Sequence, residues 1–302
     1  MLETLPLPLR LKIGLQIMRI QRNFPYRIKQ YIHHLPPIYT PTDGTTLVIL
    51  TLRKTFVESL WTAYSWLHFL TDKPALQIVM DGEVSDEERK KFSRLFPTGR
   101  IASLESCIQN SETLSQPFIH NFYQFHKFGK PLILKLALQE KTDILFSDPD
   151  VLVFQTPDEI IHHIREGVGC FFVEKNAQSI SEWIANRAVQ LSLKLTRDFN
   201  SGVLLIPKQS LSIELCNALL EGWSPEIPDY FPEQTIFDVL MTAAQAHPLP
   251  SGSYLVSNAG MWFWENDTTY ESIKIRHFVG NVRHRMYTSG YPMMKQLFES
   301  NR

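Results

Sequence analysis

Short apolar runs alternate with helical patterns along the first half of the chain. TTLVILT, ALQIVMDG and GRIASLE, with the run ILF at residues 144–146, have the length and residue types of buried strands. Helical periodicity separates these runs, and Ser85 with Glu88 forms a capping box at the start of one helix. This alternation predicts an α/β fold with a mostly parallel central sheet that is flanked by helices on both faces.

The second half continues with strand and helix signals and contains no convincing linker. GCFFVE and SGVLLIP are short apolar runs, and a helical pattern extends from Pro232 to Ala244. With 302 residues, of which 44% are hydrophobic and 20% charged, the chain can bury a large core. We therefore predict one domain over residues 41–302, preceded by an extension over residues 1–40.

The extension is basic and amphipathic. Residues 8–35 include lysines and arginines but no acidic residue, and the apolar residues recur at helical spacing. Two interpretations are open: peripheral contact with an anionic membrane surface, at the inner face, or a helical arm packed on the main domain with solvated charges. The second is favoured because amphipathic helices are the normal cover of a protein core.

Charge, cysteine content and hydropathy exclude several classes of protein. A formal net charge of -1 and a pI near 6.8 provide no basic field for binding nucleic acid. Three widely spaced cysteines suit neither a disulfide framework nor a zinc cluster. The N terminus is interrupted by Pro6, Pro8 and Arg10, unlike a signal peptide, and no run is long enough for a membrane span. These features predict a cytoplasmic protein.

The run ILFSDPDVLVF places two aspartates directly after a predicted strand. Open parallel sheets bind ligands at the carboxyl ends of their strands, where Asp148 and Asp150 are expected. Two carboxylates so close repel one another unless a cation neutralises them, and oxygen ligands favour hard ions such as Mg²⁺ or Mn²⁺. The alternative is a solvated turn without metal, which the flanking buried runs disfavour.

Two further motifs place polar residues and glycines beside apolar runs. Asn200 in DFNSGVLLIP begins a polar turn that suits a hydroxyl-rich ligand, or else is an ordinary turn at a strand entry. In HFVGNVRHR, His277 offers a nitrogen ligand, Gly280 lets a phosphate approach a backbone amide, and Arg283 offers charge to a diphosphate. A purely structural histidine is the alternative.

The order and spacing of LFSDPDVLVF, FNSGVLLI, PEQTIF and HFVGNVR, over residues 45–285, resembles the GT-A-fold glycosyltransferases. Among them the chain is similar to family 8, the glycogenin and lipopolysaccharide galactosyltransferase-like enzymes. The resemblance implies that Asp148, Asp150 and His277 bind Mn²⁺, or Mg²⁺, together with a nucleotide-diphosphate sugar, UDP being the favoured nucleotide. Gly280 and Arg283 would bind the phosphates, with Arg283 at the family's lysine position.

The resemblance also implies where donor and acceptor bind. The first strand, which ends at Thr51 and Leu52, would cradle the base and ribose. Asn200, Glu233 and Gln234 become the candidate catalytic residues; for the last two, simple compensation of a helix dipole is equally open. The implied activity is a metal-dependent, retaining glycosyltransferase of the hexosyltransferase type with a glycan, lipid or protein acceptor. A sugar-nucleotide hydrolase and a non-catalytic nucleotide- or glycan-binding relative are the alternatives.

Two groups of residues near these motifs allow two interpretations each. Lys135 and Lys141 either reach a phosphate or, as a helical position favours, are solvated. The aromatic run Trp262, Phe263 and Trp264 either stacks on a sugar face or packs in the core.

Overall fold

A computed structural model describes residues 12–17, 20, 27–174, 179–227, 229–259, 261–262 and 268–300. The strands are β1 Thr46–Thr51, β2 Ala75–Met80, β3 Arg100–Ser103, β4 Ile144–Ser147, β5 Val151–Val153, β6 Cys170–Val173, β7 Phe199–Ile206, β8 His247–Pro248, β9 Tyr254–Val256 and β10 Ile275–His277. Ten α-helices are numbered: α1 Phe56–Phe69, α2 Asp86–Leu95, α3 Leu104–Ile108, α4 Pro117–Phe125, α5 Gly129–Gln139, α6 Asp158–Glu166, α7 Glu182–Gln190, α8 Ile213–Leu219, α9 Pro232–Ala243 and α10 Tyr291–Ser300. Other helical segments, left unnumbered, are Arg27–His34, Arg53–Thr55, Glu112–Ser115, Gly280–Val282, Arg283–Arg285 and Met286–Gly290.

Seven strands form the central sheet, in the order β3-β2-β1-β4-β7-β6-β8. β3, β2, β1 and β4 run parallel, and Thr46 of β1 pairs with both Ala75 of β2 and Ile144 of β4. β7 is antiparallel to β4 and to β6, whereas β8 is parallel to β6. The predicted α/β architecture with a mostly parallel central sheet is confirmed.

Side chains of the central sheet alternate between two cores, one on each face. Along β1, Leu47 and Ile49 belong to the core that contains α1, whereas Val48 belongs to the core that contains α5 and α9. All three side chains are fully buried. A strand that is covered on both faces needs apolar residues at every position, which explains the continuous apolar run of β1.

A second sheet of three strands, in the order β5-β10-β9, is not predicted by the sequence patterns. β5 begins directly after residues 148–150, so the two aspartates occupy the junction between the two sheets. β10 is antiparallel to β5 and pairs His277 with Val151. This register brings the end of β10 beside the acidic turn, although the two segments are far apart in sequence.

The N-terminal extension is described only in part. Residues 12–17 are helical, and Arg27–His34 forms a 3-10 helix whose Ile32 is buried in the core that contains α1. Arg10, Arg19 and Arg22 lie outside the described residues, so the membrane contact and the boundary at residue 40 stay predictions. Within the described part of the chain, none of the helices combines the length and apolar character that crossing a bilayer requires.

Two local predictions are corrected by the structure. The sequence after Phe128 predicts a helix over residues 129–143, but α5 ends at Gln139, because the polar run EKTD interrupts its apolar periodicity and turns the chain into β4. Residues 200–202 lie inside β7 and do not form a turn at its entry. A bulge between Phe171 and Phe172 of β6 lets Asn200 continue the ladder, where it pairs with Phe172.

Candidate active site

The turn formed by Asp148, Pro149 and Asp150 is bound by the strands on both sides of it. The backbone N–H of Asp148 donates to the carbonyl of Gly202 in β7 at 2.8 Å. The backbone N–H of Phe278, just after β10, donates to the carbonyl of Asp150 at 2.8 Å. Both sheets therefore determine where the two carboxylates lie.

Helix α1 supports the same turn from the adjacent core. Thr62 Oγ1 donates to the carbonyl of Pro149 at 2.9 Å, and Trp66 Nε1 donates to Ser147 Oγ at 3.0 Å. Both α1 side chains are fully buried. Buried polar groups need partners, and here the partners belong to the acidic turn and the strand before it.

Asp148, Asp150 and His277 form a cluster that fits a metal ion. Each offers one ligand atom, and these three atoms all lie within 4.8 Å of one another. His277 Nε2 lies 3.5 Å from Asp148 Oδ2 and 3.3 Å from Asp150 Oδ1. Carboxylates favour Mg²⁺ and Mn²⁺ while imidazole favours transition metals, so this mixed set of donors suits Mn²⁺.

Asn200 fixes the orientation of the histidine ring. Its Nδ2 donates to Glu174 Oε2 at 3.2 Å, which leaves Oδ1 as the atom that faces His277 Nδ1 at 3.0 Å. Gly202 N donates to the same Oδ1 at 3.0 Å. Because this oxygen only accepts hydrogen bonds, Nδ1 carries a proton and Nε2 is directed at the two carboxylates. Asn200, predicted among the catalytic residues, thus contacts the candidate metal ligand His277 at Nδ1, the ring nitrogen that does not face the carboxylates.

Asp150 is buried and paired with the arginine predicted to bind phosphate. Arg283 Nε donates to Asp150 Oδ2 at 2.9 Å, and Nη2 donates to the same oxygen. Burial alone would raise the pKa of Asp150, but Arg283 and His277 hold it well below its usual range. The Asp150 carboxylate in turn raises the pKa of Arg283. Both groups are therefore charged at every physiological pH.

Asp148 and His277 retain protons more readily. Burial of the carboxylate in the cleft raises the pKa of Asp148 to about 6; the Asp150 charge adds to this, and His277 opposes it. Burial lowers the pKa of His277, but Asp150 and Asp148 outweigh that effect and leave it raised. A metal ion would have to displace these protons in order to bind.

Two cavities meet at the acidic turn. The first has a volume of about 480 Å³ and the second about 330 Å³. Asp148, Asp150, Arg283 and Phe128 line both of them. The carboxyl edge of the parallel strands is where open α/β sheets bind ligands, and the turn stands between two spaces there.

The second cavity lies at the end of β1 and is rich in lysine. Thr51 and Leu52, the residues predicted to cradle a nucleotide, line it, as do Lys54, Lys127 and Lys130. The backbone and side chains of this wall can accept a ligand that combines an uncharged part with phosphates. The structure thus brings Thr51, Leu52 and one of the predicted phosphate residues, Arg283, into one space, whereas Gly280 lines the first cavity.

The first cavity contains the other predicted site residues. Asn200, Glu233, Gln234, His277 and Gly280 all line it. Gly280 follows β10 with a φ of 35°, a backbone conformation that favours glycine. The side-chain amide of Gln234 donates to the carbonyl of Ser179 at 3.0 Å, across the cavity wall.

Lys135 is not solvated, contrary to the favoured sequence interpretation. Its side chain is 2% exposed, and Nζ contacts Glu233 Oε1 at 2.5 Å and lies 4.0 Å from the ring centroid of Phe146. Ser201 Oγ donates to the other carboxylate oxygen of Glu233 at 2.9 Å. α5 is covered on both sides, so a lysine in its middle has no route to solvent. Glu233 is accordingly held as a buried, paired carboxylate.

Replacing Lys135 with methionine should destabilise the protein by about 3–5 kcal/mol, because it leaves the Glu233 charge buried without its partner. The double variant Lys135→Met/Glu233→Leu should recover most of this loss, since no uncompensated charge remains. Urea unfolding of both singles and the double gives the coupling energy. Additive losses in the double variant would show that the two side chains do not interact as described.

The sequence patterns do not point to several residues that line the two cavities: Lys54, Lys127, Lys130, Glu174, Tyr230 and Phe231. The sequence did contain a signal for the position of Glu174 and for the burial of Lys135. Glu174 follows β6, which runs in the same direction as β4, so GCFFVE ends in a carboxylate at the edge that carries Asp148. Lys135 interrupts the apolar run LILKLAL, which indicates a buried charge rather than a solvated one.

Comparison with solved structures identifies the architecture. Galactosyltransferase LgtC, solved in complex with donor and acceptor sugar analogs, matches with a TM-score of 0.57 at 16% identity, covering 84% of this chain and 95% of that one. Mouse xyloside xylosyltransferase 1 in its apo form matches with a TM-score of 0.51 at 12% identity, covering 80% of this chain and 99% of that one. This is the GT-A fold. The apo bifunctional glycosyltransferase WbbM shares it, with a TM-score of 0.53 at 14% identity, over 88% of this chain and 52% of that one.

The GT-A fold and the likeness to family 8 agree with the resemblance seen in the sequence. No protein-family model matches the chain, and no curated protein matches it in sequence. At these identities the comparisons establish the fold.

Proposed function

We propose that this chain is a metal-dependent glycosyltransferase that moves a hexosyl group from a nucleoside-diphosphate donor to an acceptor hydroxyl. The observation that carries the proposal is the cluster of Asp148, Asp150 and His277 at the junction of two cavities. One cavity is lined by lysines and the other by carboxylates and amides. A phosphate-rich donor and a hydroxyl-rich sugar are the ligands that such a pair of spaces suits.

The donor would span the acidic turn. Its base and ribose would lie against Thr51 and Leu52, and its diphosphate would be near Lys54, Lys127 and Arg283, with Gly280 offering a backbone amide. UDP is the favoured nucleotide because of the resemblance to family 8. Its sugar would enter the first cavity, where Glu233 and Gln234 can bind hydroxyl groups.

Asp148, Asp150 and His277 would hold Mn²⁺, with Mg²⁺ as the alternative. The ion would supply Lewis-acid neutralisation of the diphosphate. Asn200 would keep the proton of the neutral His277 ring on Nδ1 and leave Nε2 directed at the ion, which is the orienting role that hydrogen-bond partners of ligating histidines have. Arg283 would remain charged at the leaving-group side of the turn and stabilise the negative charge that develops there.

The transfer breaks the bond between the anomeric carbon and the β-phosphate oxygen. The electron pair of that bond leaves with the phosphate, and a new bond forms from the anomeric carbon to the acceptor oxygen. The acceptor's hydroxyl proton passes to the departing diphosphate, so the products are a glycoside and a nucleoside diphosphate. Retention of configuration follows from the family resemblance.

Release of nucleoside diphosphate from UDP- and GDP-sugars, with Mn²⁺ and a panel of glycosides, tests the proposal. Acceptor-dependent release of UDP, with a product heavier than the acceptor by one hexose unit in mass spectra, is expected. Asp148→Asn should be inactive in the same assay. Release without an acceptor would indicate a hydrolase, and donor binding without any turnover would indicate a non-catalytic relative; either outcome contradicts transferase activity.

Mn²⁺ affinity should rise with pH. Asp148, with its pKa raised to about 6, must lose its proton to bind a metal ion, and so must His277 Nε2. Affinity should therefore rise as the pH is raised through about 6, continue to rise above 6.5 while His277 loses its proton, and only then level off. Calorimetry in buffers of different ionisation enthalpy should detect proton release at acidic pH. An affinity independent of pH across this window would contradict the assignment of Asp148 as a ligand.

A further inference from the structure

Among the described residues, three aromatic side chains of phenylalanine and tyrosine line the first cavity. Phe128 precedes α5, and Tyr230 and Phe231 precede α9; we call these three residues the aromatic rim. Tyr230 is 71% exposed and Phe231 40% exposed. Exposed aromatic surface that is continuous with a polar cavity marks a place where a ligand binds.

The backbone that carries the rim is anchored. Asp229 Oδ1 accepts the N–H of Phe231 at 3.3 Å, and the other Asp229 oxygen accepts a hydrogen bond from Ser181. The carbonyl of Phe231 accepts both the N–H and the hydroxyl of Thr235 in α9, at 3.1 and 2.9 Å. Aromatic side chains have few rotatable bonds, so rings on such a support lose little entropy when a ligand covers them.

The walls beside the rim carry hydrogen-bonding groups. Glu174, Gln234 and Asn258 line the same cavity, together with Ser179. An alkyl chain would bury the remaining polar atoms of these groups without partners, which is costly. A sugar ring has C–H groups on its faces and hydroxyl groups around its edge, so it can cover an aromatic ring and satisfy these side chains together.

The charged residues that line the first cavity favour an uncharged ligand over an anionic one. Four carboxylates line it, those of Asp148, Asp150, Glu174 and Glu233. Among the described residues that line it, the arginine is Arg283, which is paired with Asp150. The lysine wall belongs to the second cavity. Lys135 neutralises Glu233, and the proposed metal site takes up Asp148 and Asp150. Glu174, which accepts from the neutral amide of Asn200, therefore gives this cavity its negative charge. An acidic sugar or a phosphorylated headgroup would meet that like charge, whereas an uncharged sugar would not.

We propose, on the basis of the proposed transferase function, that the acceptor is a neutral saccharide whose ring covers Tyr230 and Phe231 at the entrance of the first cavity. The hydroxyl groups of this ring bind the amides and carboxylates of the wall, and a hydroxyl that points inward is the one that becomes glycosylated. Tyr230 and Phe231 determine the acceptor and do not contact the nucleotide.

Saturation-transfer NMR on the full chain, with UDP and Mg²⁺ present so that paramagnetic Mn²⁺ does not broaden the signals, tests this proposal. The probes are methyl glycosides of glucose, galactose, mannose and N-acetylglucosamine, the disaccharides lactose and maltose, and methyl glucuronide as the anionic comparison. At least one neutral probe should bind, and methyl glucuronide should not. Tyr230→Ala/Phe231→Ala should lower the affinity for the neutral probe about tenfold or more, because each lost stacking contact removes a sizeable part of a weak affinity.

Two further variants separate the rim from the fold. Tyr230→Phe keeps the ring and should bind like the native protein. Phe125→Ala removes another exposed aromatic ring, 66% exposed and outside both cavities, and should also leave binding unchanged. UDP affinity, measured by calorimetry, should be the same in all of these variants.

Several outcomes would overturn the proposal. They are unchanged sugar binding in the double alanine variant, preference for methyl glucuronide, and absence of binding by every neutral probe while UDP still binds. Failure of the native protein to bind UDP would overturn the proposed function itself, and the acceptor assignment with it. The UDP measurement therefore shows which of the two proposals has failed.

Discussion

Asp150→Asn is expected to abolish Mn²⁺-dependent binding of UDP and to destabilise the protein. Asp150 is 3% exposed and accepts two hydrogen bonds from Arg283. Asparagine leaves the guanidinium without its counter-charge, which costs about 3–5 kcal/mol when one partner of a buried pair is removed. It also removes one of three donors, so metal-dependent UDP affinity should fall by about 100-fold or more.

Asp148→Asn should separate the two effects. The Asp148 side chain is 37% exposed, and none of its contacts within the described residues is with an arginine or lysine. Its pKa is raised, so its ionised form is unfavourable in the folded state, and removing that charge should not lower stability. Metal-dependent UDP binding should be lost all the same. Calorimetry and urea unfolding of both variants measure the two quantities.

An exposed arginine–aspartate pair provides the matched control. Arg165 Nη2 contacts Asp72 Oδ2 at 2.6 Å, with both side chains more than 60% exposed. Asp72→Asn should cost less than about 1 kcal/mol and leave UDP binding unchanged. Retention of Mn²⁺-dependent UDP binding in both Asp148→Asn and Asp150→Asn would refute the metal site.

Gly202→Ala is expected to have the second largest effect on metal-dependent binding. A Cβ atom at this position would overlap the imidazole ring of His277 and approach Asn200 Oδ1 to 3.0 Å. The ring is 5% exposed and bonded to Asn200, so it cannot move aside and keep Nε2 directed at the carboxylates. We expect metal-dependent UDP affinity to fall by about 10- to 100-fold, as when an orienting partner of a ligand is lost.

The cost of Gly202→Ala in stability should be about 1–3 kcal/mol, the usual penalty for forcing an extra carbon into a packed site. Gly252→Ala is the matched control, because a Cβ there meets no atom within 4 Å. That variant should resemble the native protein in both unfolding and UDP binding. Full Mn²⁺-dependent affinity in Gly202→Ala would mean that His277 does not bind the metal ion.

The central sheet follows from local sequence patterns because each pattern reports burial directly. β1 and β4 are covered on both faces and read as continuous apolar runs, while the capping box of Ser85 and Glu88 forms as expected at the start of α2. The position of Asp148 and Asp150 at a strand end follows from the same patterns. The proximity of His277 to these aspartates does not follow from the patterns, because it depends on the pairing of β10 with β5. The spacing of apolar residues along a chain does not show which strands pair.

The side-chain network of the site is harder to predict for a physical reason. Asn200 contacts Glu174, which follows β6, and His277 of β10, and no spacing along the chain reports such contacts. Lys135 pairs with Glu233 across a distance of 98 residues. Its charge suggests solvation, and only the packing of α5 between the sheet and its neighbouring helices overrides that expectation. Tertiary contacts, not local propensity, give these residues their roles.

Calorimetric titration of UDP into the native protein, with and without Mn²⁺ and with GDP as the comparison, tests the central claim most directly. We expect UDP to bind when Mn²⁺ is present and only weakly when a chelator removes it, because in the proposed function Asp148, Asp150 and His277 would bind the nucleotide's diphosphate through the ion. UDP binding of equal strength with and without Mn²⁺, or no binding of either nucleotide by a folded sample, would contradict it.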